Sequence, residues 1–534
     1  MRRLLLAAIG CTFTLPAAAR SVPEITLSPI GVYESGLFDQ GSAEIPSFDV
    51  FSRRVFVVNA GDASLDVLDL RNPAQPVRIA QIELGNAGLG APNSVATKFG
   101  LVAVALQADD KTQPGRVAIY SAFTLRLLAT VPAGALPDMV AFSPSGRYLV
   151  AANEGEPNSD YTVDPEGSIT IIDLWRFGRA GFVRTADFSR FNSDAERTKL
   201  IEAGVRIYGP NASVAQDLEP EYITMPDDQT VFVTLQENNA IAVVDLRNAK
   251  VEKILALGLK DHSLAGNELD ASDRDSAIAI ENWPVFGMYE PDAIDSFKVG
   301  GKRYLITANE GDARDYTGFA EEIRIGSSGY RLDPTIFPPD VAAALKQNTA
   351  IGRLNATRFS GDIDGDGDFD RIQVLGGRSF TIWSDEGELV YDSGSLLEQI
   401  TAEAYPDFFN ASNTDNSRDS RSDNKGPEPE GVVVGEVAGR PYAFIGLERI
   451  GGIAVFDLSN PKAPLFRTYV NRRDFTQTPS LNDDEEASNP AAGDLGPEGL
   501  EFVPAWASPS RKPLLIVGNE ISGTTTVWEV RVDR

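Results

Sequence analysis

Residues 46–70 read PSFDVFSRRVFVVNAGDASLDVLDL. They contain a short apolar run after Pro46, a second run that ends at Asn59, and a third that ends at Asp69-Leu70. Short runs rich in Val and Phe, bounded by turn residues, are typical of β-strands. The segment therefore predicts three consecutive strands joined by turns.

The same pattern recurs along the chain. Seven units begin at or near Pro46, Pro92, Pro137, Pro220, Pro291, Pro429 and Pro497. The first three are about 45 residues apart, which is typical of the four-stranded blades of a propeller. Insertions separate the later units. We therefore predict an all-β fold, a single seven-bladed β-propeller of the YVTN or WD type over residues 20–534.

The two ends of the chain are expected to close this propeller. The seventh unit contains three predicted strands, and the strand-like residues 25–32 precede the first unit. That N-terminal strand can supply the missing outer strand and remove an open sheet edge. Two packed β domains are the alternative arrangement.

Two positions of each unit lie on one face of a propeller, namely the start of the innermost strand and the end of the second strand. Units three to seven are acidic at both positions, whereas units one and two carry Ser47, Asn93, Ala60 and Ala108 there. The ten acidic residues are Asp138, Glu221, Asp292, Glu430 and Glu498 at strand starts, and Glu154, Glu237, Glu310, Glu448 and Glu520 at strand ends. We call this set the acidic rim and predict that it lines one side of the channel mouth.

Carboxylates packed this closely oppose ionisation unless cations or raised pKa values compensate. Arg314 and Arg449 follow two of the strand-end acids in sequence and are candidates to neutralise them. The alternative is that the acids cap strand ends by accepting backbone N–H groups. Because two units lack the acids at both positions, we favour a metal-binding site.

The composition restricts the metal and the partner. The chain has 77 Asp and Glu against 48 Lys and Arg, a formal net charge of −29, with one Cys and one His, His262. This charge disfavours nucleic acid as a partner. Oxygen ligands remain, and they suit Ca²⁺, with Mg²⁺ or Mn²⁺ as a second divalent metal. A serine hydrolase would depend on His262, and no nucleophile elbow lies nearby.

Three insertions are predicted, at about residues 175–217, 247–288 and 312–426, and the first contains one short helix at residues 194–204. The last contains a loop in which Asp362, Asp364, Asp366, Asp368 and Asp370 alternate with other residues. Such Asp spacing with glycine turns is typical of Ca²⁺ loops, although Gln373 stands where an EF-hand has glutamate. We predict a calcium-binding loop next to a β-strand, and we expect the bound ion to stabilise the fold of the insertion.

A polar stretch before the sixth unit contains Arg421 and Lys425 and leads directly to Pro427-Glu428-Pro429-Glu430. It would place two cations over the mouth of the channel. Basic groups beside bound metals are what an anionic oxygen substrate such as a phosphate ester requires. A solvated loop without this role is the alternative.

Residues 1–19 are typical of a cleaved secretory signal peptide, with Arg2 and Arg3, an apolar run and Ala17-Ala18-Ala19. Cys11 lies inside the apolar run, which disfavours a lipid anchor there. The run is too short to span a bilayer, and no later segment is a candidate span. We expect a monomeric periplasmic or secreted protein.

Several longer motifs resemble the choice-of-anchor I family and cover nearly the whole mature chain. They lie at residues 153–157, 287–293, 308–314, 362–370, 377–380, 421–431 and 494–499. That family includes sea-urchin mesenchyme-specific cell-surface glycoproteins and the propeller region of atypical cyanobacterial alkaline phosphatases. The resemblance implies an exported propeller with metal-dependent phosphoester chemistry or mineral-associated binding, and it transfers no agreed catalytic residue. A C-terminal sorting tail, which many relatives have, is missing, and this favours a free protein.

Two functions from different classes fit these observations. In the first, metal ions on the acidic rim activate water and hold a phosphate oxygen. The catalytic candidates are then Glu430 and Glu498, with Arg314, Arg421 or Arg449 stabilising developing charge. In the second, the protein is a noncatalytic calcium-binding scaffold for adhesion, matrix or mineral contact. Propellers support both roles, and we favour the phosphoesterase.

Overall fold

The computed structural model describes residues 24–85, 89–481 and 487–533. The predicted signal peptide, residues 1–19, and Cys11 lie outside the described residues. Strands dominate this part of the chain, and helices are few and short. None of these helices is long and apolar enough to cross a membrane.

Seven four-stranded antiparallel sheets account for most of the strands. Sheet 1 contains Pro46–Asp49, Arg54–Asn59, Ser64–Asp69 and Val77–Glu83. Sheet 2 contains Leu89–Lys98, Leu101–Ala108, Pro114–Ser121 and Leu127–Ala135, and sheet 3 contains Pro137–Phe142, Tyr148–Asn153, Ser168–Asp173 and Val183–Asp187. Sheet 4 contains Ile223–Thr224, Thr230–Leu235, Ala240–Asp245 and Lys250–Ala256. Sheet 5 contains Ile294–Val299, Lys302–Asn309, Ser379–Ser384 and Leu389–Asp392. Sheet 6 contains Pro429–Val437, Arg440–Leu447, Ile453–Asp457 and Leu465–Val470, and sheet 7 contains Pro497–Val503, Leu514–Asn519, Thr524–Asp533 and the N-terminal strand Glu24–Glu34.

The innermost strands of successive sheets contact one another around a ring, and sheet 7 returns to sheet 1. The ring is closed by the N-terminal strand, which pairs antiparallel with the last strand, for example Ile25 with Val532. The all-β propeller and its closure by an N-terminal strand are thus confirmed. Sheet 7 therefore contains both the N-terminal strand and the last strand. The N-terminal strand covers the edge that the last strand would otherwise leave open.

The apolar core lies between neighbouring sheets. Each of the seven junctions has its own cluster of buried apolar side chains, such as the one where Phe380 of sheet 5 meets Phe456 of sheet 6 at 4.6 Å between ring centroids. Because each sheet is covered on both faces, its second strand is apolar at consecutive positions, and residues 55–58 are all fully buried. These continuous apolar runs are the feature by which the repeat is visible in the sequence.

The remaining elements lie in connections between strands, either within one sheet or between successive sheets. The predicted helix is present as Asp194–Ala203, with Ser193 accepting from Glu196 N–H as its N-cap and Gly204 in the left-handed region after it. The others are the helices Val214–Asp217, Pro339–Leu345 and Leu396–Ala404, the 3-10 turns Leu174–Arg176, Ser189–Phe191 and Pro490–Ala492, and the strands Leu259–Asp261, Val285–Met288, Asp315–Tyr316, Phe319–Ala320, Glu322–Arg324, Asn355–Thr357 and Ile372–Val374.

The sheets also take strands from inside the three predicted insertions. Sheets 3 and 4 obtain their outer strands there, and sheet 5 obtains its third and fourth strands from the longest one. In sheet 5 the second strand pairs with Ser379–Ser384. About 70 residues of sequence therefore lie between these two hydrogen-bonded strands. That long segment shares an apolar core with the preceding insertion, in which Tyr330 and Ile351 pack with Leu269 and Val285.

Candidate functional site

The sheet geometry places the acidic rim on one face. In sheet 3, Asn153 ends the second strand and its side-chain amide donates to Ser168 and Thr170 of the third strand. The next residue, Glu154, donates its backbone N–H to the carbonyl of Leu136 at 2.8 Å. Glu448 and Glu520 are anchored in the same way, by the carbonyls of Glu428 and Gly496, each at 2.8 Å. These backbone bonds fix the positions from which the carboxylates of Glu154, Glu448 and Glu520 project, and Glu448 is held in this way although Leu447 precedes it.

Three rim carboxylates form a compact group, which we call the Glu237 group. Oxygens of Glu154, Glu221 and Glu237 lie within 4.8 Å of one another. Glu221 is 7% exposed and Glu237 is 5% exposed, and one carboxylate oxygen of each has no hydrogen-bond partner. In the described part of the chain, the three carboxylates form no ion pair with Lys or Arg. The nearby Arg314 pairs with Asp217 and Glu219 instead.

The Glu237 group therefore lacks direct ion pairs, although the charge of the nearby Arg314 favours ionisation of Glu237. Burial first, and then repulsion by neighbouring carboxylates, raises the pKa of Glu154 and of Glu221 well above the ordinary range. Burial also raises the pKa of Glu237. A bound divalent cation would remove this repulsion and supply the missing partners of the two buried oxygens.

A second group, which we call the Glu428 group, has its own cations. Oxygens of Glu310, Glu428 and Glu448 lie within 4.8 Å of one another. Lys425 Nζ lies 2.7 Å from Glu310 and 3.3 Å from Glu428. Arg421 Nη2 lies 2.6 Å from Glu428 Oε1. These contacts bring the predicted basic stretch onto the acidic rim.

Arg449 completes the Glu428 group. Its Nε lies 2.9 Å from Glu428 Oε2 and its Nη1 lies 3.0 Å from Glu448 Oε1. Burial alone would raise the pKa of Glu428, yet Lys425, Arg449 and Arg421 together lower it to about 2. The Glu428 carboxylate is therefore ionised at neutral pH.

The two groups adjoin each other. The side-chain amide of Gln236, the residue before Glu237, donates to Glu310 Oε2 at 3.0 Å. One end of the acidic rim is thus rich in uncompensated carboxylates, and the other end combines carboxylates with three cations. Carboxylates suited to a metal ion thus lie next to Lys and Arg side chains suited to an anion.

The remaining rim acids lie deeper in the channel. Asp138, Asp292 and Glu498 line a cavity of about 100 Å³, together with Asn93 and Tyr222. Burial, with repulsion by neighbouring acids, raises the pKa of Asp138 to about 6 and raises those of Asp292 and Glu498 well above the ordinary range.

Glu430 and Glu520 connect this cavity to the rest of the rim. The pKa of Glu430 is raised by burial and then by Glu448 and Glu498. Glu520 is one of the groups that, after burial, raise the pKa of Glu498. Glu430 and Glu498 each have one buried carboxylate oxygen without a hydrogen-bond partner. The structure thus brings all ten predicted acids into one electrostatically connected set.

Sequence reasoning missed several members of this set. Glu44 precedes the first strand of sheet 1, and burial followed by repulsion from Glu520 and Asp138 raises its pKa to about 9. The prediction that unit one contributes no acid was therefore incomplete. Glu156 accepts from the Tyr316 hydroxyl at 2.9 Å and pairs with Lys111. The only sequence signals were closeness to a unit start for Glu44 and the Asn-Glu-Gly-Glu run for Glu156.

Arg314 lies in a different environment from the one expected. Its side chain is fully buried, pairs with Asp217, and lies 3.0 Å from Glu219. Behind it, Arg206 pairs with Glu290 at 2.8 Å and with Glu321. These guanidinium groups are held in buried ion pairs, and we assign Arg314 no contact with a substrate.

The Asp-rich loop forms a separate acidic group on the surface. Oxygens of Asp362, Asp364 and Asp370 lie within 4.8 Å of one another. Asp362 also accepts backbone N–H groups from Gly365 at 2.7 Å and Gly367 at 3.0 Å. The carboxylate of Asp366 accepts the backbone N–H of Asp368 at 3.2 Å, and neither Asp366 nor Asp368 is a member of the three-residue group.

His262 lies in the interior and not on the rim. It is 1% exposed, its Nδ1 lies 2.6 Å from the carbonyl oxygen of Asn267, and its Nε2 has no hydrogen-bond partner. Burial, with the positive charge of Lys260, lowers its pKa well below the ordinary value. A neutral, enclosed imidazole gives no support to a serine-hydrolase site.

Comparisons with known proteins place this chain in a family. A model described as the choice-of-anchor I domain matches residues 44–461. Gigasin-3a of Magallana gigas is 30% identical over 196 residues, which are 35% of this chain and 67% of that protein. The mesenchyme-specific cell surface glycoprotein of Strongylocentrotus purpuratus is 29% identical over 317 residues, which are 52% of this chain and only 40% of that protein.

Solved structures resemble the chain more distantly. A streptogramin B lyase has a TM-score of 0.42 at 9% identity, covering 95% of this chain and 98% of its own. The Cps50 β-propeller domain of Myceliophteria thermophila has a TM-score of 0.41 at 9% identity, covering 96% and 100%. The family match spans more than half of the sequence and agrees with the resemblance of the motifs. The chain therefore belongs to the choice-of-anchor I domain family.

Proposed function

We propose that this protein is an exported metal-binding propeller that hydrolyses phosphate esters at its acidic rim. The observation that carries the proposal is the contact between two unlike groups. The Glu237 group has three close carboxylates without cations, and the Glu428 group next to it has Lys425, Arg421 and Arg449. Export is supported by the predicted signal peptide and by a relative named as a cell surface glycoprotein.

Divalent ions fit the carboxylate end of the rim. Glu154, Glu221 and Glu237 offer hard oxygen ligands, two of which are buried oxygens without partners. Ca²⁺ suits such ligands, and Mg²⁺ or Mn²⁺ is the second candidate. When bound, a divalent ion supplies Lewis-acid polarisation of a phosphoryl oxygen and lowers the pKa of a coordinated water.

The cationic end of the rim suits the anionic part of the substrate. Arg421 and Arg449 retain partial exposure, 20% and 25% of their side chains, while each contacts Glu428. The ionised Glu428 thus orients two guanidinium groups that can donate to phosphate oxygens. Guanidinium groups held in advance in this way stabilise charge that develops on the phosphoryl group.

Glu430 and Glu498 are the candidates for proton transfer. Each has a raised pKa, caused by burial and then by neighbouring carboxylates, and each has a free carboxylate oxygen. A carboxyl group whose pKa is raised toward neutrality can give or take a proton during ester cleavage. In this proposal they hold the proton of the attacking water or of the leaving group.

Three measurements on one preparation test the proposal. Metal content is determined by elemental analysis of the mature chain, before and after chelation. Hydrolysis of a phosphomonoester and of a phosphodiester is then measured with and without added Ca²⁺. Glu430→Gln and Glu498→Gln are expected to lower kcat by about 100-fold or more while the fold is retained. Glu436→Gln, an exposed residue further along the same strand as Glu430, is the matched control and should be unchanged.

The alternative function is a noncatalytic calcium-binding scaffold, and one observation favours it. The Asp362 loop is a third acidic group, on the surface and separate from the two rim groups, of the kind that stabilises surface modules. Stoichiometric metal without turnover of either ester would contradict the phosphoesterase and support the scaffold. Turnover that is unaffected by both glutamine variants would contradict the assignment of Glu430 and Glu498.

A further inference from the structure

Three large aromatic side chains are exposed on the face opposite the acidic rim. Phe51, Phe99 and Phe123 are 60%, 61% and 55% exposed. Phe51 and Phe99 lie in the hairpins between the first and second strands of sheets 1 and 2, and Phe123 lies between the third and fourth strands of sheet 2. First strands start at the rim and run away from it, so all three hairpins lie on the far face.

The three rings lie next to one another around the turn Phe99-Gly100. The ring centroids of Phe51 and Phe99 are 6.2 Å apart, and the ring of Phe123 packs against Gly100. The carboxylate of Asp49 accepts the backbone N–H of Gly100 at 3.0 Å and that of Ser52 at 2.7 Å. These bonds fix the first two hairpins relative to each other.

Arg54 ties the third hairpin to this surface. Its guanidinium donates to the carbonyls of Ala122 and Phe123, at 2.6 and 2.9 Å. The three phenyl side chains are therefore presented by a firmly connected set of turns. They are not the tips of independent loops.

The position of Phe99 is unfavourable for the fold alone. Phe99 and Gly100 both have positive φ, +51° and +82°, as a tight hairpin turn requires. The equivalent turns of sheets 5 and 6 carry Gly300 and Ala438 at the position of Phe99. A bulky residue in the left-handed region costs on the order of 1 kcal/mol. The edge of the Phe99 ring meets Gly146 and the ring of Phe51, yet 61% of the residue stays exposed, and this exposed area favours an external contact.

The charge around these rings is opposite in sign to that of the whole chain. Arg53 lies two residues after Phe51, Lys98 lies over the ring of Phe99 at 5.5 Å, and Arg126 follows in the hairpin of Phe123. Within the described residues, none of these three cations forms a direct ion pair, although the charge of Lys98 lowers the pKa of Glu501. In a protein with a net charge of −29, unpaired cations beside exposed aromatic groups indicate an anionic partner.

We propose that Phe51, Phe99 and Phe123, with Arg53, Lys98 and Arg126, form a docking patch for an anionic lipid surface. The phenyl rings have no hydrogen-bonding group, so they suit the apolar boundary of a bilayer, while the cations meet the headgroup phosphates. This contact is peripheral and turns the acidic rim away from the lipid. It goes beyond the proposed function and does not depend on it.

Co-sedimentation of the mature chain with vesicles tests the patch. Vesicles of phosphatidylcholine alone are compared with vesicles that contain about one third phosphatidylglycerol, at low and high salt. EDTA is present throughout, so that metal ions on the rim cannot bridge to lipid. We expect binding to the anionic vesicles that weakens at high salt, and weak or no binding to neutral ones.

Variants separate the two parts of the patch. Phe51→Ser/Phe99→Gly/Phe123→Ser should lower the partition coefficient by about tenfold or more, and Phe99→Gly also relieves the backbone. Arg53→Gln/Lys98→Gln/Arg126→Gln should remove the salt dependence. The matched control is Leu264→Ser/Ile336→Ser/Leu389→Ser, which removes exposed apolar groups elsewhere and should leave binding unchanged.

Two results would overturn the proposal. One is equal vesicle binding by the wild-type chain and the phenylalanine variant. The other is failure of the wild-type chain to bind anionic vesicles, whether or not it binds a soluble polyanion such as dextran sulfate. Phosphatase activity of the same preparations is a separate readout, so the lipid contact and the proposed function fail independently.

Discussion

Glu237 and Glu221 decide whether the rim holds a cation, because they are the most buried members of a group that lacks counter-charges. Glu237→Gln removes one ligand and one source of repulsion together. We expect the metal-free protein to become more stable, by about 1 kcal/mol, and its calcium affinity to fall by about tenfold or more. Calorimetric unfolding with EDTA and titration calorimetry with Ca²⁺ measure the two effects.

Glu202→Gln is the matched control for this change, since Glu202 is exposed on the helix Asp194–Ala203. It should alter neither quantity. A metal-free Glu237→Gln protein that is less stable than the wild type, with an unchanged response to Ca²⁺, would show that Glu237 has a structural role and is not a ligand.

The residue scale also shows where sequence reasoning fails. The strand-start and strand-end acids could be found because each repeats at a fixed place in the unit. Lys425 and Arg421 reach the rim from a long insertion, and their exact partners depend on how that insertion folds back. Arg314 is only four residues after Glu310, yet its side chain turns inward to Asp217 and Glu219. A position a few residues after a rim acid therefore does not show in which direction the side chain points.

At the scale of elements, the strands were predictable where apolar runs are continuous and turns are short. The helix Asp194–Ala203 was predictable because Ser193 and Gly204 mark its ends. The third strand of sheet 5, Ser379–Ser384, is an apolar run in the sequence, but its place in the sheet cannot be read there. It pairs with Lys302–Asn309 across a long gap in sequence, and no local pattern encodes that partner.

The Asp-rich loop allows a prediction at this scale. The loop contains Phe369. The ring of Phe369 stacks on the ring of the buried Tyr330 in the same insertion, with 4.0 Å between centroids. If Ca²⁺ binds Asp362, Asp364 and Asp370, its removal should loosen this segment while the sheets stay intact. Hydrogen exchange of residues 362–370 is expected to rise by about tenfold on chelation, and Asp362→Asn/Asp364→Asn should show the higher rate without chelator.

Asp340→Asn is the control for the loop, because Asp340 is exposed in the same insertion but outside the acidic group. It should retain the calcium response. Exchange rates in the loop that do not change with Ca²⁺ would contradict a calcium site there, and the group would then be a hydrogen-bonded turn.

On the scale of the whole molecule, the propeller separates its two charged surfaces. The first strands carry acids at one face, and the hairpins at their other ends carry phenylalanine and basic residues on sheets 1 and 2. The ring is closed by pairing the two ends of the chain, so the rim acids are held together against their repulsion by the seven apolar junctions. The fold supplies the stability that the acidic rim lacks.

This balance predicts how stability depends on pH. Burial and neighbouring acids raise the pKa of Asp138 to about 6 and that of Glu44 to about 9, and burial followed by Asp295 raises that of Glu501 to about 8 despite the opposing charge of Lys98. In the unfolded chain such groups titrate near pH 4. The folded protein therefore binds more protons than the unfolded chain between about pH 4 and pH 9, and its stability falls as pH rises through that window.

Differential scanning calorimetry between about pH 5 and pH 9 checks this dependence. In EDTA, Tm is expected to fall as pH rises, and with Ca²⁺ the fall should be smaller because the ion replaces protons on the rim. Glu501→Gln lies outside the candidate metal groups, so it should reduce the slope in EDTA and leave the calcium effect intact. A Tm that is constant or rises with pH in EDTA would show that the acids are compensated within the protein, and the physical reason for a bound metal would then be lost.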